Sequence, residues 1–155
     1  MHAMCTIVAR NLSTIERCMN YYSQERTWDY ASIGGRYSNL IPVSKKCKTY
    51  YAGIGWPDIP HGQFPYPDRM EPNPALQYTN IARMRNIVHD EVVRMAHGGG
   101  LDIFLPYTMI ICHEDDWFEW LDIDEMGEGQ LANLHEVLQQ PNKQSWFVAI
   151  VDYHY

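Results

Sequence analysis

The predicted strand from Ser145 to Tyr155 places the strongest constraint on the fold. Both of its faces are apolar up to Val151, and such a strand has to be covered on both sides. The sequence therefore predicts a central strand here. Asp152 and His154 interrupt the apolar run, and because side chains alternate along a strand they emerge on one face. An aspartate can orient a histidine as a general base or a hydrogen-bond donor, although polar residues also mark a strand end that reaches water.

The other periodicities predict a mixture of strands and helices. Apolar residues at helical spacing favour three helices, and short buried runs favour further strands. The predicted elements are a strand from Met4 to Arg10, a helix capped by Ser13 with Glu16 and ending near Gln24, a helix from Ala75 to His97, a hairpin from Phe104 to Trp120, and a helix from Gly127 to Gln140. We expect one α+β domain over residues 1–155, a mostly antiparallel sheet with about three helices packed on it, and a long irregular loop at 55–74.

A second feature is the stretch Trp28-Asp29-Tyr30-Ala31-Ser32-Ile33-Gly34-Gly35-Arg36-Tyr37-Ser38-Asn39, which places two adjacent glycines before an arginine. Glycines let the backbone take positive φ angles and let another group approach closely. Exposed backbone N–H groups beside a guanidinium suit a phosphate, and the aromatic rings of the stretch offer faces for stacking a base. The alternative is architectural, a tight turn or bulge between strands in which Asp29 and Arg36 form an ion pair.

The charge of the chain limits its partners. Twelve Lys and Arg against nineteen Asp and Glu give a formal net charge of -7. This argues against binding to duplex nucleic acid, whose phosphates require a basic surface, but leaves room for one small nucleotide in a local pocket. The four cysteines have no metal-binding spacing and are typical of reduced thiols in the cytoplasm. No apolar run is long enough to cross a membrane, and nothing in the sequence calls for a cofactor.

The two motifs resemble those of a known family of small proteins from bacteriophages and actinobacteria. That family carries an Asp-Tyr-x-x-Ile-Gly-Gly-Arg-Trp-Ser-Gly signature and a closing Val-Asp-Cys-His, and the matching segments here run from Asp29 to Asn39 and from Val151 to His154. The first strand and the hairpin residues Trp117 and Trp120 are also similar. The resemblance implies that the two motifs belong to one site, and the phage occurrence implies a role against host defences.

The chain departs from this family at several positions. Tyr37 replaces Trp, Asn39 replaces Gly and Tyr153 replaces Cys. Many members begin with His-Phe-Thr, where this chain has Met4-Cys5-Thr6. We therefore expect one histidine in the site, His154, which speaks against a mechanism built on two histidines.

Three functions are consistent with these residues. The first is a phage-type anti-defence protein of the host cytoplasm that captures a small nucleotide without turnover. Its expected ligand contacts are Trp28, Asp29, Tyr30, Gly34, Gly35, Arg36, Tyr37, Ser38, Asp152 and His154. The second is a metal-independent phosphodiesterase or nucleotidase, in which Asp152 orients His154 and Arg36 steadies the phosphate charge. The third is an inhibitor that binds a host protein through its aromatic surface. We expect a homo-oligomer in each case, and the lack of a strong catalytic motif favours capture.

Overall fold

The computed structural model describes residues 2–50, 62–64, 67–68, 70–98, 108–122, 136–137 and 139–155. Eight strands and two α-helices have their bounds within these ranges. In chain order they are β1 (His2–Ala9), α1 (Leu12–Gln24), β2 (Tyr30–Ile33), β3 (Ile41–Ser44), β4 (Leu76–Thr79), β5 (Ile81–Arg83), α2 (His89–Gly98), β6 (Thr108–Glu114), β7 (Trp117–Asp122) and β8 (Phe147–His154). Short 3-10 turns follow β2, follow β5 and precede β8, at Gly35–Tyr37, Met84–Asn86 and Pro141–Lys143.

The main sheet is built around β8, as the sequence predicts. Its strand order is β2-β8-β1-β6-β7, and β5 pairs with the same edge of β8 as β2. Every pair is antiparallel except β1 with β6, which is parallel. The first seven residues of β8 are buried because both faces of the sheet are covered. The predicted α+β class with a mostly antiparallel sheet is therefore confirmed.

Each face of the sheet has its own apolar core. The odd-numbered residues of β1 and β8 face α1, where Ile15, Cys18 and Tyr22 form the buried stripe that the sequence predicts. The even-numbered residues face the opposite core, which also contains buried side chains of α2 and of the separate two-stranded sheet β3–β4. Because side chains alternate along a strand, the even-numbered residues at the ends of β1 and β8 lie beyond this second core, where the polar site is found.

Two short strands meet end to end along the outer edge of β8. Between β2 and β5, the Gly34 N–H donates to the Ile150 carbonyl at 2.9 Å, and the Ile150 N–H donates to the Asn80 carbonyl at 3.0 Å. The chain therefore leaves the sheet at Gly34, where a later segment joins it at Asn80. A β-carbon on Gly34 would lie 2.5 Å from Ser38 Oγ and 2.8 Å from Asn80 Oδ1, so this crossing requires glycine.

The predicted helix from Ala75 to His97 is largely wrong. Only α2 is helical there, and the preceding residues form β4 and β5. The apolar residues recur at steps of three and four, but β4 pairs with β3 and β5 pairs with β8. These cross-strand hydrogen bonds and contacts outweigh the local periodicity, which is a weak signal when tertiary pairing competes with it.

Smaller differences concern the other helices. Helix α1 begins at Leu12 with Asn11 at the N-cap, and no side-chain bond caps it, so the predicted Ser13 capping box is wrong. About three helices were predicted, and two α-helices, α1 and α2, have both of their ends within the described residues. The helix predicted from Gly127 to Gln140 lies mostly outside the described residues. Of its four described members, 136, 137 and 139 are helical and 140 is not.

The described part of the predicted hairpin is confirmed as β6 and β7, joined by a turn at residues 115–116, and its first residues, 104–107, lie outside the described ranges. Half of the predicted loop at 55–74 lies outside the described residues. In its described part, Phe64 and Met70 are buried in the second core. Within the described ranges, no helix has the length and apolar character needed to cross a membrane.

Candidate functional site

Polar side chains from three adjacent strands meet at the end of the sheet where β1 begins and β8 ends. His2 of β1 lies opposite His154 of β8, and Tyr30 of β2 lies opposite His154 on the other side. Ser32 of β2 lies opposite Asp152 in the same register. Because paired residues share a face of the sheet, these five residues form one polar patch, which we call the two-histidine site.

Asp152 is the buried anchor of this site. Its side chain is 2% exposed, and its carboxylate accepts two hydrogen bonds. His2 Nδ1 lies 2.8 Å from Oδ1, and the backbone N–H of Arg36 donates to Oδ2 at 3.0 Å. A buried carboxylate needs such partners because an unpaired charge is costly away from water.

Gly35 makes the burial of Asp152 possible. Its φ is +54°, and a β-carbon placed there would lie 2.5 Å from Asp152 Oδ2 and 2.6 Å from Asp152 Cβ. No side chain fits in that space, so the Gly35–Tyr37 turn folds directly over the carboxylate. This contact joins the glycine motif to the strand end of β8. The sequence resemblance implies that these two motifs belong to one site.

His154 has a different aspartate. Its Nδ1 lies 2.6 Å from Asp29 Oδ1, and the backbone N–H of Asp29 donates to the carbonyl of His154 at 2.9 Å. The Asp29 side chain is 65% exposed and that of His154 is 36% exposed. The prediction that Asp152 orients His154 is therefore wrong. Asp152 lies two residues before His154 on the same face, but His2 from the neighbouring strand occupies the space beside its carboxylate.

The two imidazole rings are in contact. The ring centroids of His2 and His154 are 5.1 Å apart in an edge-to-face arrangement, and Tyr30 lies 6.2 Å from His2. Since a carboxylate can only accept, Nδ1 carries the proton in both His–Asp pairs. In the neutral ring this leaves Nε2 as the lone-pair nitrogen, on the side of the imidazole away from its aspartate. Two such nitrogens can accept or donate protons toward one ligand.

Several residues named from the sequence are not accessible to a ligand. Trp28 is 1% exposed and stacks on Tyr153 in the core that faces α1. Ser38 is fully buried and its hydroxyl donates to the Gly35 carbonyl. Both were expected to contact a ligand, but burial of the large indole and closure of the turn remove them from the surface.

The glycine motif also differs from the expected phosphate cradle. Its two glycines have the predicted positive φ angles, yet the backbone N–H groups of Gly34, Arg36 and Tyr37 all donate to protein acceptors. These three N–H groups are committed to the fold. A phosphate at this site would therefore have to be held by side chains. The turn itself supplies one guanidinium, that of the exposed Arg36.

His2 is the residue that the sequence reasoning missed. The predicted first strand begins at Met4, which is the position where many members of the resembling family have a histidine. The strand in fact begins at His2, two residues earlier on the same face. The alternation from His2 to Met4 was visible in the sequence, but only the antiparallel pairing of β1 with β8 shows that His2 lies opposite His154.

Other polar groups lie elsewhere. A cleft of about 300 Å³ lies at the opposite end of β1, lined by residues that include Arg10, His113 and Asp115, and a second of about 540 Å³ lies beside α2. The described members of neither cleft belong to the two-histidine site. In the described part of the chain, no group of three or more His, Cys, Asp or Glu side chains is placed to hold a metal ion.

Three cysteines are buried on the α1 side of the sheet. Burial, with the neighbouring Cys112, raises the pKa of the Cys5 thiol. The pKa of the Cys18 thiol is raised mainly by a hydrogen bond with Cys112 and, to a smaller extent, by burial. All four cysteines are free. The Cys5 and Cys18 thiols behave as small apolar groups in the core.

Comparison of the chain with models of protein families, with curated proteins and with solved structures finds no match. The geometry of the two-histidine site therefore has to carry the functional interpretation.

Proposed function

We propose that the protein captures a small nucleotide, with a phosphate of the ligand held between His2 and His154. The observation that carries the proposal is the contact between two imidazoles that are each fixed by an aspartate. The prediction of a nucleotide ligand came from the glycine–arginine motif. The folded site supports the same ligand class through a different set of groups.

The phosphate would be held by side chains. Two rings 5.1 Å apart are close enough to hydrogen-bond two oxygens of one phosphoryl group. Asp152 and Asp29 fix the orientation of the two rings through Nδ1. Phosphate would be bound by the imidazolium form, since a charged donor binds phosphate more strongly than a neutral one. Arg36 begins beside Asp152, and its exposed side chain can add a further positive charge.

The remainder of the nucleotide would lie over β2. Tyr30 is 48% exposed and lies beside His154 on the site face, so its ring offers a stacking surface for a base. Stacking of one base on an aromatic ring contributes about 1–3 kcal/mol in single-stranded nucleic-acid complexes. Ser32, one step further along the same face, would offer a hydroxyl to the ribose.

The biological role follows from the resemblance. Small acidic proteins of phages that bind nucleotides are suited to removing a host defence signal in the host cytoplasm, and we propose that role here. A homo-oligomer would bring several such sites together. Inhibition of a host protein is the competing function, and the experiment below separates the two.

The test is binding of the purified protein to mono-, di- and cyclic nucleotides, measured by thermal shift, with chromatography of the material recovered after denaturation. We expect a ligand that raises the melting temperature and is recovered from the protein. Arg36→Ala should weaken binding at least tenfold, because a phosphate would lose a charged partner. Arg85→Ala is the matched control, since Arg85 is also exposed and lies on another 3-10 turn.

A second pair of variants tests the base site. Tyr30→Ala should lower affinity by about fivefold or more, which corresponds to the lower end of the stacking energy. Tyr21 is 47% exposed, almost the same as Tyr30, but lies on α1, so Tyr21→Ala should leave affinity unchanged. If no nucleotide shifts the melting temperature, capture is excluded and a host protein partner becomes the leading function.

A further inference from the structure

We infer that the two-histidine site also cleaves a ribonucleotide phosphodiester, with His2 and His154 acting as an acid–base pair and the neighbouring 2′-hydroxyl as the nucleophile. This inference rests on the proposed function, because the phosphate that is captured is the one that would react. It goes beyond capture by assigning turnover, and it brings in His2, which the sequence reasoning left out.

The reaction balances without any added reactant. One imidazole takes the proton from the 2′-hydroxyl as O2′ bonds to phosphorus. The phosphorus–O5′ bond breaks, and the other ring, starting as imidazolium, gives its proton to O5′. The products are a 2′,3′-cyclic phosphate and a free 5′-hydroxyl. The two histidines end with exchanged protonation states, which proton exchange with water restores.

The geometry provides what this chemistry requires. General acid–base catalysis needs two titratable groups within reach of one substrate, and these rings are 5.1 Å apart on one face. Both are accessible, since His2 is 28% and His154 is 36% exposed. Both are bonded to an aspartate through Nδ1, which leaves Nε2 as the nitrogen that exchanges protons.

The two aspartates act as positioning residues in this scheme. Asp152 fixes the ring of His2 from a buried position, and Asp29 fixes the ring of His154 from the surface. Each holds the proton on Nδ1 and so directs Nε2 toward the ligand. Arg36 would stabilise the negative charge that develops on the phosphoryl oxygens.

A third His–carboxylate pair supplies the matched control. His113 Nε2 is bonded to Glu119 Oε2, and the His113 side chain is 26% exposed. It has nearly the exposure of His2 but lies at the far end of β1, roughly 25 Å away at about 3.3 Å per strand residue. It lacks a second imidazole among the described ring contacts.

The experiment uses the four homodinucleotides of adenosine, cytidine, guanosine and uridine, together with counterparts that lack the attacking 2′-hydroxyl. Products are identified by mass spectrometry, and binding of the deoxy compounds is measured by calorimetry. We expect at least one ribodinucleotide to give a 2′,3′-cyclic phosphate, and its deoxy counterpart to bind uncleaved. His2→Gln and His154→Gln should each lower kcat by about 100-fold or more, whereas His113→Gln should leave it unchanged.

The outcomes separate the two levels of the proposal. Binding of the deoxy compounds without cleavage of any ribodinucleotide overturns the inference and leaves capture standing. If the deoxy compounds do not bind and no ribodinucleotide is cleaved, the proposal of capture is overturned as well. Cleavage of deoxy and ribo substrates at equal rates overturns the 2′-hydroxyl mechanism, and equal cleavage by all three histidine variants assigns the activity to a contaminant. His154→Gln alters a half-exposed strand end, so it keeps the test valid even if His2→Gln fails to fold.

Discussion

The two His–Asp pairs of the site are chemically alike but differ in their surroundings. The Asp152 side chain is 2% exposed and accepts a bond from a histidine and from a backbone N–H, whereas the Asp29 side chain is 65% exposed. Asp152 lies under a turn that only a glycine at position 35 allows. Asp29 has water around it.

The difference in exposure indicates that the Asp152–His2 pair stabilises the fold, whereas the Asp29–His154 pair lies on the surface. The Asp152–His2 pair joins β8, β1 and the glycine turn, so its removal would leave buried polar groups without partners. The Asp29–His154 pair is screened by solvent and contributes little to stability. The site therefore combines a fixed imidazole with one that can adapt to a ligand, and the following predictions test that contrast.

The largest effect is expected for Asp152→Ala. Removing a buried acceptor costs about 1–3 kcal/mol for a donor that it leaves unsatisfied, and here His2 Nδ1 and the Arg36 N–H would both lose the acceptor that Asp152 provides. We expect the free energy of unfolding, measured by urea denaturation, to fall by about that amount. Asp152→Asn should recover part of the loss because the amide oxygen can still accept. A loss below 1 kcal/mol for Asp152→Ala would show that the carboxylate does not anchor the turn.

The next effect is expected for Gly35→Ala. The new methyl group would meet the Asp152 carboxylate at 2.5 Å, in a left-handed backbone conformation. Strain of this kind costs about 1–3 kcal/mol, and the clash adds to it. Gly62→Ala is the matched control, since Gly62 also has positive φ but the nearest atom outside its neighbours is 3.9 Å away. Equal losses for the two variants, measured by thermal unfolding, would contradict a specific contact between Gly35 and Asp152.

Much of the framework could be predicted from the sequence. The central strand was visible because β8 is apolar on both faces, and the stripe of α1 and the hairpin followed from simple periodicity. The helix prediction was wrong at 76–83 because the apolar spacing of this segment suits a helix as well as it suits two short strands. Which one forms is decided by the partners β3 and β8, and these are distant in sequence.

The site was predicted only in part for the same reason. Asp152, His154 and the glycine motif were identified because their residue types are unusual in their local context. The hydrogen-bond partner of each carboxylate could not be identified from the sequence, because the register of the strands decides which residues meet. A shift of one residue in the pairing of β1 with β8 would turn His2 to the other face.

Alkaline pH tests two buried thiols that lie away from the site. The Cys5 and Cys18 thiols have pKa values raised above the ordinary value of 9.0. Above pH 9 the unfolded chain loses protons that the folded chain keeps, so stability is complete below that pH and falls as pH rises. We expect a loss of about 1 kcal/mol per thiol at pH 10.

The measurement is urea denaturation at pH 8 and pH 10. Cys18→Ala should reduce the loss between the two pH values, because one titrating thiol is gone. An unchanged pH dependence in Cys18→Ala would contradict the assignment.

The smallest effect is expected for Asp29→Asn. An exposed ion pair contributes about 0–1 kcal/mol and is weakened by salt. We therefore expect a change in unfolding free energy below 1 kcal/mol at low salt, and almost none in 1 M sodium chloride. A loss as large as that of Asp152→Ala would mean that the two pairs are equivalent in the fold.

The most direct test of the central claim is the long-range ¹H–¹⁵N spectrum of the histidine side chains during titration with the four deoxy homodinucleotides. If the two-histidine site holds a phosphate, the Nε2 signals of His2 and His154 should move together as ligand is added, while those of His113 stay in place. If His2 and His154 do not move while a dinucleotide binds, or if all three histidines move alike, the phosphate is not held between the two rings and the account is contradicted.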